Sequence, residues 1–230
     1  MLKDVRLYYH FLSAQNAVND LERKMIRVST LDTLNDPFEL LPYLRYPPKK
    51  RKPYNKLRKR IADKWGLLCF SKTWQEPLLW SHYADKHKGI ALGFEIIQQN
   101  KIVDVIYSDG ALREQIELTD SLEDDEMGFL DLARLKYKKW EYEQEARMLI
   151  KLNDCTKIGG NYFISFGNNL LVKTIRLGSK YIYENTKNDY ILTLSKRIGA
   201  EIIPCRLEWQ GYSILKDGTK SKVFQTSVIL

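Results

Sequence analysis

The amino-acid sequence predicts an α+β fold, and three observations support that class. The chain opens with a strand, a helix and a second strand; later strands and helices follow without strict alternation; and 44% of the residues are hydrophobic. Strict alternation would instead favour a parallel sheet. The 230 residues are enough to bury a core. We therefore predict a single domain over residues 1–230, with a basic insertion at about residues 43–64.

Local patterns predict the opening strand, helix and strand. Residues 5–11 are mostly aromatic or aliphatic and indicate a strand that ends near His10. Ser13 can cap the following helix, because a serine side chain accepts a hydrogen bond from the first helical turn. That helix carries an apolar stripe formed by Ala14, Ala17, Val18 and Leu21. Residues 25–29 form a short second strand.

The remaining elements are assigned from the same patterns. Further strands are predicted at residues 66–71, 88–95, 103–107, 162–166, 170–177 and 202–209. Helices are predicted at about residues 53–64 and 76–86, and at 120–137 and 188–200. Gly93 lies inside one of the strands, which indicates close approach of another backbone or of a ligand at that point.

The net charge of +8 is concentrated in one segment. Residues 45–60 hold nine Lys and Arg side chains and no acidic one, so the rest of the chain is close to neutral. This segment has two interpretations of equal weight. It is a solvated insertion loop, or it is an arm that contacts the phosphates of DNA or RNA through residues that include Lys50 and Arg51.

Cysteine usage and hydropathy exclude several classes of protein. The three cysteines are scattered and form no Cys-x-x-Cys pair, so neither a disulfide framework nor a structural zinc site is expected. No apolar run reaches membrane-spanning length. The N-terminus has charges where a signal peptide needs an apolar core. We therefore expect a cytoplasmic protein with no membrane partner.

Residues 140–147, Trp-Glu-Tyr-Glu-Gln-Glu-Ala-Arg, are the main candidate site. We predict a strand here, whose alternation places on one face Glu141, Glu143, Glu145 and Arg147. Neighbouring carboxylates in a cleft raise one another's pKa and so prepare an acid or a base. The alternative is a solvated edge strand with a surface ion pair. Glu145→Gln is expected to leave the fold intact, because a polar strand face loses little from an isosteric change.

Five motifs, taken in order, resemble one bacterial protein family. They span residues 35–147 and are Asn35-Asp36-Pro37-Phe38-Glu39, Cys69-Phe70-Ser71, Trp80-Ser81-His82-Tyr83-Ala84, Gly89-Ile90-Ala91-Leu92-Gly93-Phe94, and Trp140 with Glu143, Glu145 and Arg147. That family was long classed as a domain of unknown function and is associated with abortive-infection defence against phage. The resemblance implies an effector of anti-phage defence or of a toxin system, with a neutralising or regulatory protein as a partner.

A second resemblance supplies a chemistry. Tyr8-Tyr9-His10-Phe11, followed by a helix and Arg27-Val28-Ser29, resembles the opening of mono-ADP-ribosyltransferases of the DNA-targeting toxin kind. Glu143-Gln144-Glu145 resembles the Glu-x-Glu strand of arginine-type enzymes, and Phe70-Ser71-Lys72-Thr73 is similar to their aromatic-Ser-Thr-Ser strand with a single serine. The resemblance implies a split, strongly curved β-sandwich with flanking helices, and NAD as the co-substrate.

The same resemblance implies roles for individual residues. Glu145 would stabilise the oxocarbenium-like charge on the ribose, Glu143 would take a proton from the acceptor, and His10 would bond a ribose hydroxyl. The residues expected to contact the dinucleotide are Ser71, Trp80, Tyr83, Arg147 and Arg27. The residues expected to contact the acceptor substrate are Asn35, Asp36, Glu39, Lys50 and Arg51. We therefore expect His10, Ser71 and Glu145 to surround one cleft.

Two other classes of function remain open. A metal-dependent nuclease would bind a divalent ion with carboxylates drawn from Asp36, Glu39, Glu95 and Glu143 or Glu145. A non-catalytic sensor would use the same polar residues to bind a phage product or a protein partner. The transferase interpretation itself requires no metal site.

Overall fold

A computed structural model describes residues 6–36, 59–109 and 133–226 of the chain. Within the predicted site, Glu39, Lys50 and Arg51 lie outside the described residues, as does most of the basic segment. The chain forms two compact units. The first unit comprises Met1–Ile26, Phe70–Gln99 and Ser165–Leu230, and the second comprises Arg27–Cys69 and Asn100–Ile164. The prediction of a single domain stays a prediction.

The described residues contain thirteen strands. In chain order, β1 to β13 are Leu7–Leu12, Met25–Thr30, Trp65–Ser71, Ile90–Ile96, Ile102–Asp104, Ile106–Ser108, Leu135–Tyr137, Glu145–Lys151, Thr156–Ile158, Asn161–Ser165, Leu170–Leu177, Glu201–Leu207 and Ile214–Lys216. The α-helices α1 to α4 are Ala14–Arg23, Pro77–Tyr83, Asn185–Ile198 and Gly218–Thr226. Helices thus combine with mostly antiparallel strands, which confirms the predicted α+β class.

The first unit is built on strands that pair in the order β13-β12-β11-β4-β1. All of these pairs are antiparallel except β11 with β12. Ser13 caps α1 as predicted, because its hydroxyl accepts a hydrogen bond from the Asn16 amide. One face of the strands buries a core that includes Phe11, Trp80 and Cys205. Helix α2 supplies Trp80 to this core, and β12 supplies Cys205.

Gly93 is the point of close approach that the sequence predicts. A Cβ atom at this position would lie 2.3 Å from Thr174 Oγ1 and 3.1 Å from the Tyr9 ring. The first distance is too short for a real contact and the second is unusually tight, so the missing side chain makes room for these two neighbours. The groups that approach Gly93 are therefore side chains from β11 and β1.

In the second unit β3, β2, β10 and β9 pair in that order, β8 pairs with β3, and β5 pairs with β8. A short parallel pair, β6 with β7, leads into the candidate site. The buried residues that pack together in this unit are Leu31, Ala62, Leu67 and Ala133. Gly66 lets β3 lie close to β2, since a Cβ there would be 2.5 Å from a Val28 methyl group.

Three of the predicted elements are wrong in part. Residues 135–137, predicted as the end of a helix, form β7. Residues 140–143, predicted as the start of a strand, belong to a 3-10 helix over residues 138–143, and the strand begins only at Glu145. His10 lies in the middle of β1 and not at its end. None of the described helices combines the length and the apolar character that crossing a membrane requires.

Candidate functional site

A buried cluster of four charged side chains forms the candidate site in the second unit. Lys136, Glu143, Glu145 and Arg147 are each at most 4% exposed. Lys136 Nζ lies 2.5 Å from Glu143 Oε2 and 2.9 Å from Glu145 Oε2. We call these four residues the ion cluster. Its two cations and two carboxylates make it neutral as a set, and burial of charge requires such pairing.

The backbone around residue 144 sets which carboxylates turn inward. The 3-10 helix ends at Glu143, and Gln144 takes a left-handed conformation with φ 44° before β8 starts at Glu145. This break removes the strict alternation that the sequence predicts. As a result Glu141 is exposed and pairs with exposed Lys138 at 2.8 Å, while Glu143 and Glu145 are both buried.

Arg147 holds Glu145 in a two-point contact. Its Nε donates to Glu145 Oε1 at 2.6 Å and its Nη2 donates to Glu145 Oε2 at 2.9 Å. The third nitrogen, Nη1, donates to the Ala133 carbonyl at 2.8 Å. Bidentate pairs of this kind fix both position and orientation. The guanidinium that was expected to contact the dinucleotide is therefore engaged inside the protein.

The pKa of Glu145 is shifted in the direction opposite to the one that the sequence predicts. Burial by itself raises the pKa of Glu145, but Arg147 and Lys136 outweigh it and hold the pKa at about 2. Glu145 is thus an anion at neutral pH and cannot serve as a proton-donating acid there. The prediction that neighbouring carboxylates raise the pKa of this group is wrong, because each carboxylate has a cation beside it.

Acid should weaken the folded protein through this group. The folded-state pKa of Glu145 lies below its ordinary value of 4.5. Its stabilising contribution is therefore complete above pH 4.5 and is lost as the pH falls towards about 2, on the order of 3 kcal/mol in total. We expect chemical denaturation at a series of pH values to show this loss for the wild type and for Glu141→Gln, but not for Glu145→Gln. If the free energy of unfolding falls equally with acid for the wild type and both variants, this prediction is wrong.

Aromatic groups complete the surroundings of the Lys136 ammonium. Its Nζ lies 5.1 Å from the centre of the Trp140 ring, within range of a cation–π contact. Tyr107 Oη accepts a hydrogen bond from the Glu145 amide at 2.7 Å. Burial is the main cause that raises the pKa of Tyr107, so this phenol stays neutral. The cation is therefore surrounded by two carboxylates and one aromatic ring.

The predicted residues of the first unit have other surroundings. His10 packs edge-on against Phe70, with ring centres 5.9 Å apart. The Ser71 hydroxyl is buried and accepts a bond from the Thr73 amide. Trp80 has no exposed surface and donates its indole N–H to the Trp74 carbonyl at 2.6 Å. Trp80 is thus a core residue, which corrects its predicted stacking role; Tyr83 packs half-buried against the same core.

The other predicted residues are placed as follows. Arg27 and Asn35 are exposed, and Asp36 is buried. Glu95, named for the nuclease alternative, is half-buried and pairs with Lys173 at 3.2 Å. The structure therefore brings together Glu143, Glu145 and Arg147 from the predicted set. That His10, Ser71 and Glu145 surround one cleft stays a prediction.

Two members of the site were missed by sequence reasoning. The sequence predicts that Lys136 lies in a helix that ends at residue 137. It predicts Tyr107 only as the end of a strand. The available signal is weak: Lys136 sits between apolar Leu135 and Tyr137 in a stretch with three basic residues nearby. Only the pairing of β6 with β7, in which Tyr107 is opposite Lys136, places both beside the carboxylates.

A separate cleft of about 580 Å³ lies in the first unit. Its lining residues are Ala14, Gln15, Val18, Asp85, Lys88, Tyr181, Ile182 and Tyr190. This lining contains none of the predicted site residues. Within the described ranges 6–36, 59–109 and 133–226, no group of three His, Cys, Asp or Glu side chains is arranged to hold a metal ion.

Comparison with known proteins shows that part of the chain matches the model of a protein family. Residues 79–148 match the model of a family described as "Protein of unknown function (DUF2971)". The matched segment begins one residue before Trp80 and ends one residue after Arg147, so it contains three of the motifs described above. No curated protein and no solved structure matches the chain.

Proposed function

We propose that this protein is an NAD-dependent mono-ADP-ribosyltransferase-like effector of bacterial anti-phage defence or of a toxin system, acting on nucleic acid or a nucleic-acid-associated target. The observation that carries the proposal is the surroundings of the Lys136 ammonium. Two carboxylates and the Trp140 ring enclose one positive charge. A site for cleavage of the nicotinamide–ribose bond has to stabilise a positive charge in the same way.

The proposed chemistry assigns a step to each carboxylate. The bond between nicotinamide and ribose breaks, its electron pair leaves with the nicotinamide nitrogen, and the ribose becomes positively charged. Glu145, which is ionised, would stabilise that charge, and Glu143 would accept the proton that the acceptor loses as it bonds to the ribose. Lys136 has to withdraw first, because its ammonium occupies the place of the positive charge.

Nicotinamide release from NAD tests the proposal directly. We expect the purified protein to release nicotinamide when nucleic acid or cell extract supplies an acceptor. Glu143→Gln should reduce transfer to the acceptor more than hydrolysis of NAD, since water needs less help from a base. Glu141→Gln is the matched control, because Glu141 is exposed and two residues away. Absence of nicotinamide release by the wild type under all these conditions would end the transferase proposal.

A non-catalytic binding protein is the second candidate, and one observation favours it. The ion cluster is buried and its charges are already paired within the protein. Such a cluster fixes β7 against β8 without any ligand. This candidate expects binding of a phage product or a protein partner without nicotinamide release, which calorimetry combined with product analysis distinguishes from the first.

A further inference from the structure

A second unusual charge lies in the first unit. Arg176, in β11, is only 8% exposed. Its guanidinium stacks on the Trp74 ring with the central carbon 3.9 Å from the ring centre, and it lies 5.5 Å from the centre of the Tyr9 ring. The aromatic rings accept the flat faces of the guanidinium, but they do not accept its N–H bonds in its own plane.

Arg176 has no carboxylate partner among the residues that the structure describes. Its Nε is buried and makes no hydrogen bond. The Cys205 thiol is within hydrogen-bond reach of Arg176 but supplies no negative charge, because burial raises its pKa to about 12. Buried guanidinium groups are ordinarily paired with an anion, since an unpaired buried charge is costly. An anion would supply the negative charge and the acceptor that the buried Arg176 Nε–H does not have within the described residues.

Thr174 places a second unused donor beside this charge. It is two residues before Arg176 on the same face of β11. It is 7% exposed, and its Oγ1 is buried with no hydrogen-bond partner. The Thr174 hydroxyl and the Arg176 Nε–H both lie near the Tyr9 ring, and neither makes a hydrogen bond. Both are groups that donate to oxygen atoms of an anion.

The Trp74 ring covers one face of Arg176. Trp74 is half-buried in the loop between β3 and α2, and its backbone carbonyl accepts a hydrogen bond from the Trp80 indole N–H. Rotation of the Trp74 ring away from Arg176 would expose the guanidinium without moving that anchor.

We propose that Arg176 and Thr174 form a binding site for the oxyanion group of a small ligand, a carboxylate or a phosphate, which enters when the Trp74 ring moves aside. The ligand oxygens accept from Arg176 Nε and from the Thr174 hydroxyl. The site lies within the first unit and does not depend on the ion cluster or on the reaction proposed for it. Its ligand class follows from the two unsatisfied donors.

Thermal denaturation of the full chain with inorganic phosphate or acetate tests this site, with chloride at equal ionic strength as the reference. We expect one of the two oxyanions to raise the melting temperature of the wild type and to change Trp74 emission. Phosphate alone would identify a phosphate ligand, and acetate alone a carboxylate ligand. Thr174→Val should weaken the binding by roughly tenfold, since a hydrogen bond to a charged group is lost.

Arg176→Met separates the site from a structural role. Methionine keeps the contact with Trp74 and removes the unpaired charge, so this variant should melt at a higher temperature than the wild type without anion and should lose the response to oxyanion. The matched control is Arg197→Met, because Arg197 is exposed and donates to the Leu21 and Glu22 carbonyls. The proposal is overturned if the wild type shows no response beyond chloride, or if Arg176→Met and Thr174→Val both respond as the wild type does.

Discussion

Replacement of Glu145 by glutamine is expected to lower the free energy of unfolding by about 3–5 kcal/mol, because it removes the carboxylate that pairs with two buried cations. Arg147 would keep a neutral amide in place of a bidentate carboxylate, and Lys136 would lose one of the two carboxylates beside it. For a chain of this size the loss corresponds to a fall of roughly 6–20 °C in melting temperature. Chemical denaturation and thermal melting measure it.

The sequence prediction for this substitution was the opposite, an intact fold. Glu141→Gln is the control that distinguishes the two expectations, because the Glu141–Lys138 pair is exposed and should contribute less than about 1 kcal/mol. Equal stability of Glu145→Gln and Glu141→Gln would show that the ion cluster does not stabilise the fold. Activity measurements on Glu145→Gln have to be corrected for its folded fraction.

Strands and helices with strong local patterns could be predicted from the sequence. The Ser13 cap and the apolar stripe place α1 correctly, and the apolar run at residues 65–71 forms β3. These signals are local, so they need no knowledge of the tertiary fold. The 3-10 helix at residues 138–143 could not be predicted in this way, because alternating Glu and aromatic residues also fit a strand.

Only part of the candidate site could be predicted from the sequence, because only some of its residues are close together in the chain. Glu143, Glu145 and Arg147 are close in sequence, and their types suggested a charged site. Lys136 and Tyr107 come from β7 and β6, whose parallel pairing is not encoded in any local pattern. Without Lys136 the charges appeared unbalanced, so the sequence indicated a raised carboxylate pKa where the structure gives a lowered one for Glu145.

Trp80 and Arg176, both in the first unit, show the same limit of prediction from local sequence patterns. Trp80 and Tyr83 at helical spacing suit either a stacking site or a core, and only the packing decides that Trp80 is core. The sequence contains no signal for Arg176, since a single arginine in an apolar strand forms no motif. Its significance comes from the absence of a carboxylate partner among the described residues and from the unsatisfied Thr174 hydroxyl nearby.

Lys136→Met should destabilise the protein by about 3–5 kcal/mol, because it removes the buried ammonium that pairs with both Glu143 and Glu145. Glu143→Gln on its own should cost less, since Lys136 keeps Glu145 at 2.9 Å. The double variant removes one charge of each sign and keeps the Glu145–Arg147 pair. We therefore expect it to be more stable than Lys136→Met, with a coupling energy between the two sites of about 0.5–3 kcal/mol, the range for residues in contact.

A second double-mutant cycle on Lys138 and Glu141 is the matched control. That pair has the same residue types and a similar separation of 2.8 Å, but both side chains are more than half exposed. Solvent screens exposed charges, so its coupling energy should stay below about 1 kcal/mol. Denaturant titration of all six variants and the wild type measures both cycles. If Lys136→Met and Lys138→Met lose the same small amount, Lys136 is not the counter-ion that holds Glu143 and Glu145, and the enclosed positive charge that supports the transferase proposal is not a feature of the folded protein.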